Sequence, residues 1–232
     1  MYNWNWEIIY QNKLVFLEGA ITTLILTLLA VMAGTLLAVL LVFLKKSKYF
    51  LLALLAKVYI EIFRSLPILV LIIWIYYVLP IFLNWRIGGF SAAVIAISLH
   101  LSAFAAETIK AGLSAVPKNQ SESGYALGLS SFQVLLYIII PQSFKTIIPN
   151  LLGLYINELK NSSLASIIAV DELLHRSNVL ISNTYRPLEI YTAMAVVYLI
   201  LILPLVYLIR LVEKYYFKSD VPIKWIDYGP DN

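Results

Sequence analysis

Charged residues occur along the chain in short bursts, separated by long apolar runs. Residues 19–44 carry no charge at all. A helix needs about 20 mostly apolar residues to cross the hydrocarbon of a bilayer, so this run predicts a first span. Residues 65–85 are also uncharged and predict a second, whose start lies further back, near Leu54. Residues 88–106 form the core of a third span and residues 190–209 the fifth. The fourth run, residues 134–157, is interrupted by Pro141, Lys145 and Pro149. A proline removes a helical hydrogen bond and crowds the carbonyl four residues back. This span is therefore expected to begin only after Lys145 or Pro149. Polar connections lie at Lys45–Lys48, residues 80–89, 110–133 and 160–187, with a tail from Lys214. No internal repeat or second domain interrupts the pattern. It predicts an all-α integral membrane protein with five transmembrane helices.

Composition agrees. Hydrophobic residues make up 61% of the chain and charged residues 13%, where a soluble domain carries roughly 25% charged. Cysteine is absent, which excludes disulfides and thiolate-held metals. Two histidines, His100 and His175, are too few for a histidine-based metal centre. Residues 1–18 hold Glu7, Lys13 and Glu18 without a basic start. The apolar run after them is too long for a signal-peptide core, so the segment is expected to be retained. The net charge of +4 is small and marks membrane topology rather than nucleic-acid binding. Lys45, Lys46, Lys48, Lys57, Lys110, Lys118, Lys145, Arg210, Lys214, Lys218 and Lys224 fall on one side of a five-span layout. Lys13, Arg86, Lys160, Arg176 and Arg186 fall on the other. Basic residues concentrate on cytoplasmic loops, so the N-terminus is expected outside and the C-terminus inside. Residues 1–18 are then an external segment, 19–213 a transmembrane domain and 214–232 a cytoplasmic tail.

The loop of residues 113–134 falls on the cytoplasmic side. Pro117 ends the helix before it. Asn119 or Ser121 suits the cap of a short new helix, with Glu122 in its first turn, where the helix dipole favours an anion. Tyr125, Ala126 and Leu127 give that helix a modest apolar face, and Gly128 suits its C-terminal end. Small side chains permit close approach by another protein. The same residues also suit an ordinary connecting loop, and both readings stand on physics alone.

The spacing resembles a known pattern. Glu122, then Gly128 six residues on, then Ile139, Pro141 and Pro149, is similar to the "EAA" loop of bacterial ABC importer permeases. Ser123 and Gly124 stand where that family commonly has two alanines. EIFRSLP (residues 61–67), AAETIKAGLSAVPK (105–118), KNSSL (160–164) and AVDEL (169–173) resemble motifs of the polar amino acid branch, the histidine, glutamine and arginine type. Several ordered motifs at matched spacing cover residues 19–213. The resemblance implies a type I ABC importer permease fold in the bacterial plasma membrane. It implies that Glu122, Tyr125, Ala126, Leu127, Gly128 and Leu129 dock on an ATP-hydrolysing subunit. It also implies a second permease subunit, identical or related, and an external solute-binding protein. No Gly-x-x-x-x-Gly-Lys-Ser/Thr phosphate loop occurs. The chain is expected to be no enzyme and to hold no cofactor, with ATP and Mg in the partner.

Candidate substrate residues follow from charge within the spans. Ionisable groups in lipid are costly and point to function. Glu61 and Arg64 lie three apart, on one helix face. Arg64 offers a planar fork to an amino acid carboxylate, or the pair neutralises itself and fixes packing. Glu107 and Lys110 repeat the spacing nearer the cytoplasmic end and suit a structural or gating role. Asn161, Ser162 and Ser163 line the cavity if the resemblance holds; otherwise Asn161 or Ser162 caps the segment after it. Asp is frequent at position 161 in the family, and Asn supplies no charge for a cationic side chain, although Glu158 can compensate. A polar uncharged or acidic amino acid fits better than a cationic one. His100, beside Ser98 and Ser102, suits a hydrogen bond to a neighbouring helix. His175 and Arg176 suit a solvated outer loop. The competing reading is a membrane scaffold or secondary transporter subunit not coupled to ATP. Such carriers usually show internal repeats, which are not visible here. An intramembrane enzyme is disfavoured because Asp171, Asp220, Asp227 and Asp231 all lie outside the spans.

Overall fold

A computed structural model describes residues 2–84 and 86–216; the sequence-predicted tail beyond Tyr216 and Trp85 lie outside the described residues. The described residues are helical, with no strand. Helix α1 is Glu7–Gln11 and α2 is Lys13–Lys45. Helix α3 is Phe50–Ser65 and α4 is Ile68–Leu83. Helix α5 is Gly89–Ser114, α6 is Lys118–Ala126 and α7 is Ser131–Ile168. Helices α8, Leu173–Thr184, and α9, Pro187–Tyr216, complete the chain. Four of these, α2, α5, α7 and α9, are long and apolar enough to cross a membrane. The α3–α4 pair makes a fifth span only as a broken one.

That break corrects the expected second span. Helices α3 and α4 meet at 107°. Pro67 crowds the backbone of the residue before it and excludes the helical region there; Leu66 is extended, at φ −82° and ψ 130°. The fourth span is corrected too, since it starts at Ser131, well before Lys145. A capping box fixes that start: Ser130 Oγ accepts from Gln133 N, and Gln133 Oε1 accepts from Ser130 N at 2.8 Å. Pro141 and Pro149 lie within helical structure. The chain absorbs Pro141 by widening to a π turn over Leu135–Ile139, and Pro80 follows a similar turn over Trp74–Val78. Such turns relieve the carbonyl that a proline leaves without its donor. Helix α7 continues past Lys160, its last turn tightening to a 3-10 form over Ser162–Ile168. The expected outer loop thus begins later and contains α8.

The core sits where α2 crosses α5. Alanines dominate it, including Ala30 and Ala38 on α2 and Ala92, Ala93, Ala96 and Ala105 on α5. Small residues let helix backbones approach closely in lipid, where packing rather than water exclusion drives association. Ser98 Oγ donates across the crossing to the Ala30 carbonyl at 3.2 Å. On one end, α8 packs on α2 and α9 through Leu173, Leu180, Phe16 and Ile190. Glu172 caps α8, accepting from the N–H of Leu174 and His175 at 2.9 and 2.7 Å. Burial pushes its carboxyl above the ordinary glutamate range despite those bonds. Arg176 is not merely solvated: it pairs with Glu18 on α2. Large apolar side chains stay exposed along α2 and α9, such as Leu36 at 72% and Ile200 at 63%, the surface of a chain whose solvent is lipid.

Candidate functional site

Two places carry chemistry. The first is a polar cleft between α5 and α7. Its cavity of about 270 Å³ is lined by His100 and Phe104 from α5 and by Leu154, Asn157, Glu158, Lys160 and Asn161 from α7. Glu158 is 2% exposed. Its two carboxylate oxygens are engaged separately, one with His100 Nδ1 at 3.0 Å, the other accepting from Asn161 Nδ2 at 3.1 Å. Asn161 lies one turn after Glu158, so both project from one face of α7. His100 stacks obliquely on Phe104, with ring centroids 4.9 Å apart. Arg64 closes the row: its guanidinium carbon stands 5.6 Å from the centre of the Phe104 ring, within cation–π range. Arg64 and His100 thus share Phe104 as a neighbour, and His100 in turn holds the buried Glu158.

The break between α3 and α4 lies just after Arg64. Arg64 is in the last turn of α3. The first N–H groups of α4, from Ile68 to Val70, have no carbonyl four residues back within their helix. Broken spans place such positive half-helix ends at anionic ligand groups.

The expected site residues divide. Asn161 lines the cleft, and Arg64 stands beside it against Phe104. Glu61 is exposed one turn before Arg64, and the ion pairs among the described residues do not join the two. Ser162 is buried and donates to the Leu159 carbonyl at 2.7 Å, while Ser163 donates to the Lys160 carbonyl at 2.8 Å. Both hydroxyls are turned into their own helix. Asn161 caps nothing, since its amide goes to Glu158. Sequence reasoning reached a helix–helix bond for His100 but not its partner. The available signal was Glu158 itself, a carboxylate within an apolar span and three residues before Asn161.

The second place is α6. It begins directly after Pro117, at Lys118, without a side-chain cap. Asn119 and Ser121 are therefore not its caps, and Glu122 lies beyond the first turn, because the fixed φ of Pro117 already starts the helix. Its end is as the spacing implies. Gly128 stands at φ +78°. Its N–H donates to the Tyr125 carbonyl at 2.9 Å and that of Leu129 to the Gly124 carbonyl at 3.1 Å, the bond pair of a Schellman end. Gly124 packs so closely on α7 that an added Cβ would stand 2.6 Å from Ile138 Cδ1 and 2.9 Å from Val134 Cγ2. An alanine there would push the Ile138 and Val134 side chains aside. The opposite side is open: Glu122 and Ala126 are exposed, Tyr125 is 51% exposed and Leu127 80%. Leu129 is half-buried, and Phe132 extends the apolar surface.

Residues 30–218 match the family described as "Binding-protein-dependent transport system inner membrane component". The chain belongs to that family. It is 33% identical over 211 residues to the glutamine transport system permease protein GlnP of Escherichia coli K12, covering 90% of this chain and 96% of that one. It is 31% identical over 215 residues to a Bacillus subtilis protein named "Probable glutamine ABC transporter permease protein GlnM", covering 93% and 99%. Among solved structures, one described as "an amino acid ABC transporter with histidines" matches with TM-score 0.88 and 33% identity, over 92% of this chain and 100% of that one. An inward-facing MetNI methionine ABC transporter matches with TM-score 0.70 at 17% identity and speaks for the fold alone. The protein is a multi-pass membrane permease of the type I ABC importer fold, as the motif spacing implied.

Proposed function

We propose that this permease carries polar amino acids, uncharged or acidic rather than cationic, by alternating access driven by ATP hydrolysis in a separate subunit. The observation that carries the reading is the cleft, which offers opposite charges to a zwitterion. Arg64, with the free N–H groups of α4, receives the α-carboxylate. Glu158 receives the α-ammonium, held in place by His100 and Asn161, and Asn161 reads the polar side chain. Lys160 adds a second cation to the lining, so a positive side chain would meet repulsion. The relatives named for glutamine support an uncharged substrate.

In this reading α6 is the coupling helix. Tyr125, Leu127 and their neighbours seat in the ATPase, which holds ATP and Mg. Closure of two ATPase subunits moves α6, and Gly124 passes that motion to the first turns of α7 through Val134 and Ile138. A second permease, identical or related, walls the other side of the cleft. An external binding protein delivers the amino acid beside α8. The N-terminus and residues 1–18 lie outside; the loop of residues 113–134 and the tail from 214 lie in the cytoplasm.

The test is co-purification of the chain with the ATPase encoded beside it, with and without joint replacement of Glu122 and Gly128. Retention by the natural chain and loss by the variant is the expected result. Failure of both chains to hold an ATPase would return the scaffold or ion-coupled reading.

A further inference from the structure

A second charged cavity, sharing no lining residue with the amino acid cleft, lies where α2, α3 and α5 converge. It measures about 280 Å³ and is lined by Lys45, Lys46 and Lys110 with Val42, Ile60 and Ala106. Glu107 ties two of the lysines, pairing with Lys45 and lying 3.9 Å from Lys110. Three cations face one carboxylate there, leaving two positive charges uncompensated. We propose that this cavity binds the phosphate of an anionic phospholipid.

A phosphate ester is the chemistry that matches an excess of ammonium donors. The floor decides its source. Val42 is 8% exposed, Ile60 and Ala106 1% each, and all three are apolar. Val42 lies four residues before Lys46, about 6 Å along a helix axis. The cavity therefore runs from an apolar end to a cationic rim within one helical turn. A phospholipid presents the same sequence, acyl and glycerol carbons below a phosphate. A soluble phosphate would leave the exposed aromatic surface of Tyr49 and Phe50 beside the rim unused. The neighbouring turn fixes the depth: Tyr49 is 74% exposed and Phe50 79%, and aromatic side chains favour the headgroup boundary. The orientation proposed above makes this the inner leaflet, but the binding itself does not depend on it.

The cavity joins three helices. Lys45 ends α2, Ile60 lies on the α3 half of the broken span, and Lys110 lies near the end of α5. A lipid phosphate bridging Lys46 and Lys110 would hold α2 and α5 together at this end.

The test uses the assembled permease–ATPase complex in nanodiscs of mixed phosphatidylcholine and phosphatidylglycerol, with retained lipids counted by native mass spectrometry. Phosphatidylglycerol should be retained over phosphatidylcholine. Retention should fall about fivefold for each of Lys46→Gln and Lys110→Gln and recover with arginine at both positions. Lys48→Gln, outside the cavity lining, should change nothing. If Lys110→Gln fails to assemble, Lys46→Gln alone carries the test, because Lys46 is exposed and outside the Glu107 ion pairs. Equal retention of the two lipids, or unchanged retention in an assembled Lys46→Gln complex, would overturn the proposal. Displacement of phosphatidylglycerol by millimolar inorganic phosphate would overturn the lipid source in favour of a soluble anion.

Discussion

Glu158→Gln removes one negative charge from the cleft and little else. The amide keeps the shape of the carboxylate. Its carbonyl still accepts from Asn161 Nδ2, and its NH₂ donates to His100 Nδ1 when that nitrogen carries no proton. The 3.0 and 3.1 Å contacts can both persist, so assembly should survive. What is lost is the charged acceptor for the α-ammonium. A hydrogen bond to a charged group contributes about 1.5–3 kcal/mol. At 1.4 kcal/mol per factor of ten, affinity should fall by about 10- to 150-fold. Because Glu158 is 2% exposed, water does little to screen the effect. The assay is direct binding of radiolabelled glutamine to the purified permease–ATPase complex without the binding protein, whose own affinity would mask the change. Thermal unfolding of the same sample reports integrity. Glu158→Ala serves as contrast, since it also strips His100 and Asn161 of their acceptor and should destabilise by about 1–3 kcal/mol. Wild-type affinity in a stable Glu158→Gln complex would show that the ammonium does not meet this carboxylate.

Arg64→Ala should weaken uptake while the complex still assembles, and Arg64→Lys should recover it only in part, because lysine lacks the planar fork; unchanged uptake in proteoliposomes would remove Arg64 from the site. Asn161→Asp places a second carboxylate beside Glu158 and should shift preference toward cationic amino acids, read by competition of arginine against glutamine. Gly128→Val forces a β-branched residue to φ +78°, a strain of about 1–2 kcal/mol or more. It should uncouple ATP hydrolysis from uptake without loss of membrane insertion. Gly124→Ala should shift α6 off Val134 and Ile138 and lower substrate-stimulated ATPase activity, while the separate affinity of the cleft for glutamine stays as in wild type.

The number of spans and the end of α6 were legible because they rest on local chemistry. Apolar run length decides what can cross a bilayer, and Gly128 supplies locally the positive φ of a helix end. Leu66–Pro67 also carried its message locally, yet the absence of charge concealed it: hydropathy reports that residues 65–85 prefer lipid, not that they run straight. The start of the fourth span was misplaced for the converse reason. Pro141 removes a helical hydrogen bond and Lys145 places a charge in an apolar run, but the capping box at Ser130 nucleates the helix earlier, and the π turn before Pro141 lets it continue.

The cleft was readable only in halves. Arg64 and Asn161 were marked by the cost of polar groups within spans, a property of each residue alone. Which of them face one space depends on how helices rotate against each other. The α2–α5 alanine seam fixes the roll of α5, and so turns His100 toward α7 and onto Glu158, 58 positions away. Ser162 and Ser163, adjacent to Asn161 in the chain, are rotated away and spend their hydroxyls on their own backbone. Sequence determined that this chain lives in lipid, crosses it in five segments and exposes a short helix between two of them. Tertiary packing decided which polar groups share a cavity, because a side chain's neighbours across a helix interface are set by steric fit over the whole seam.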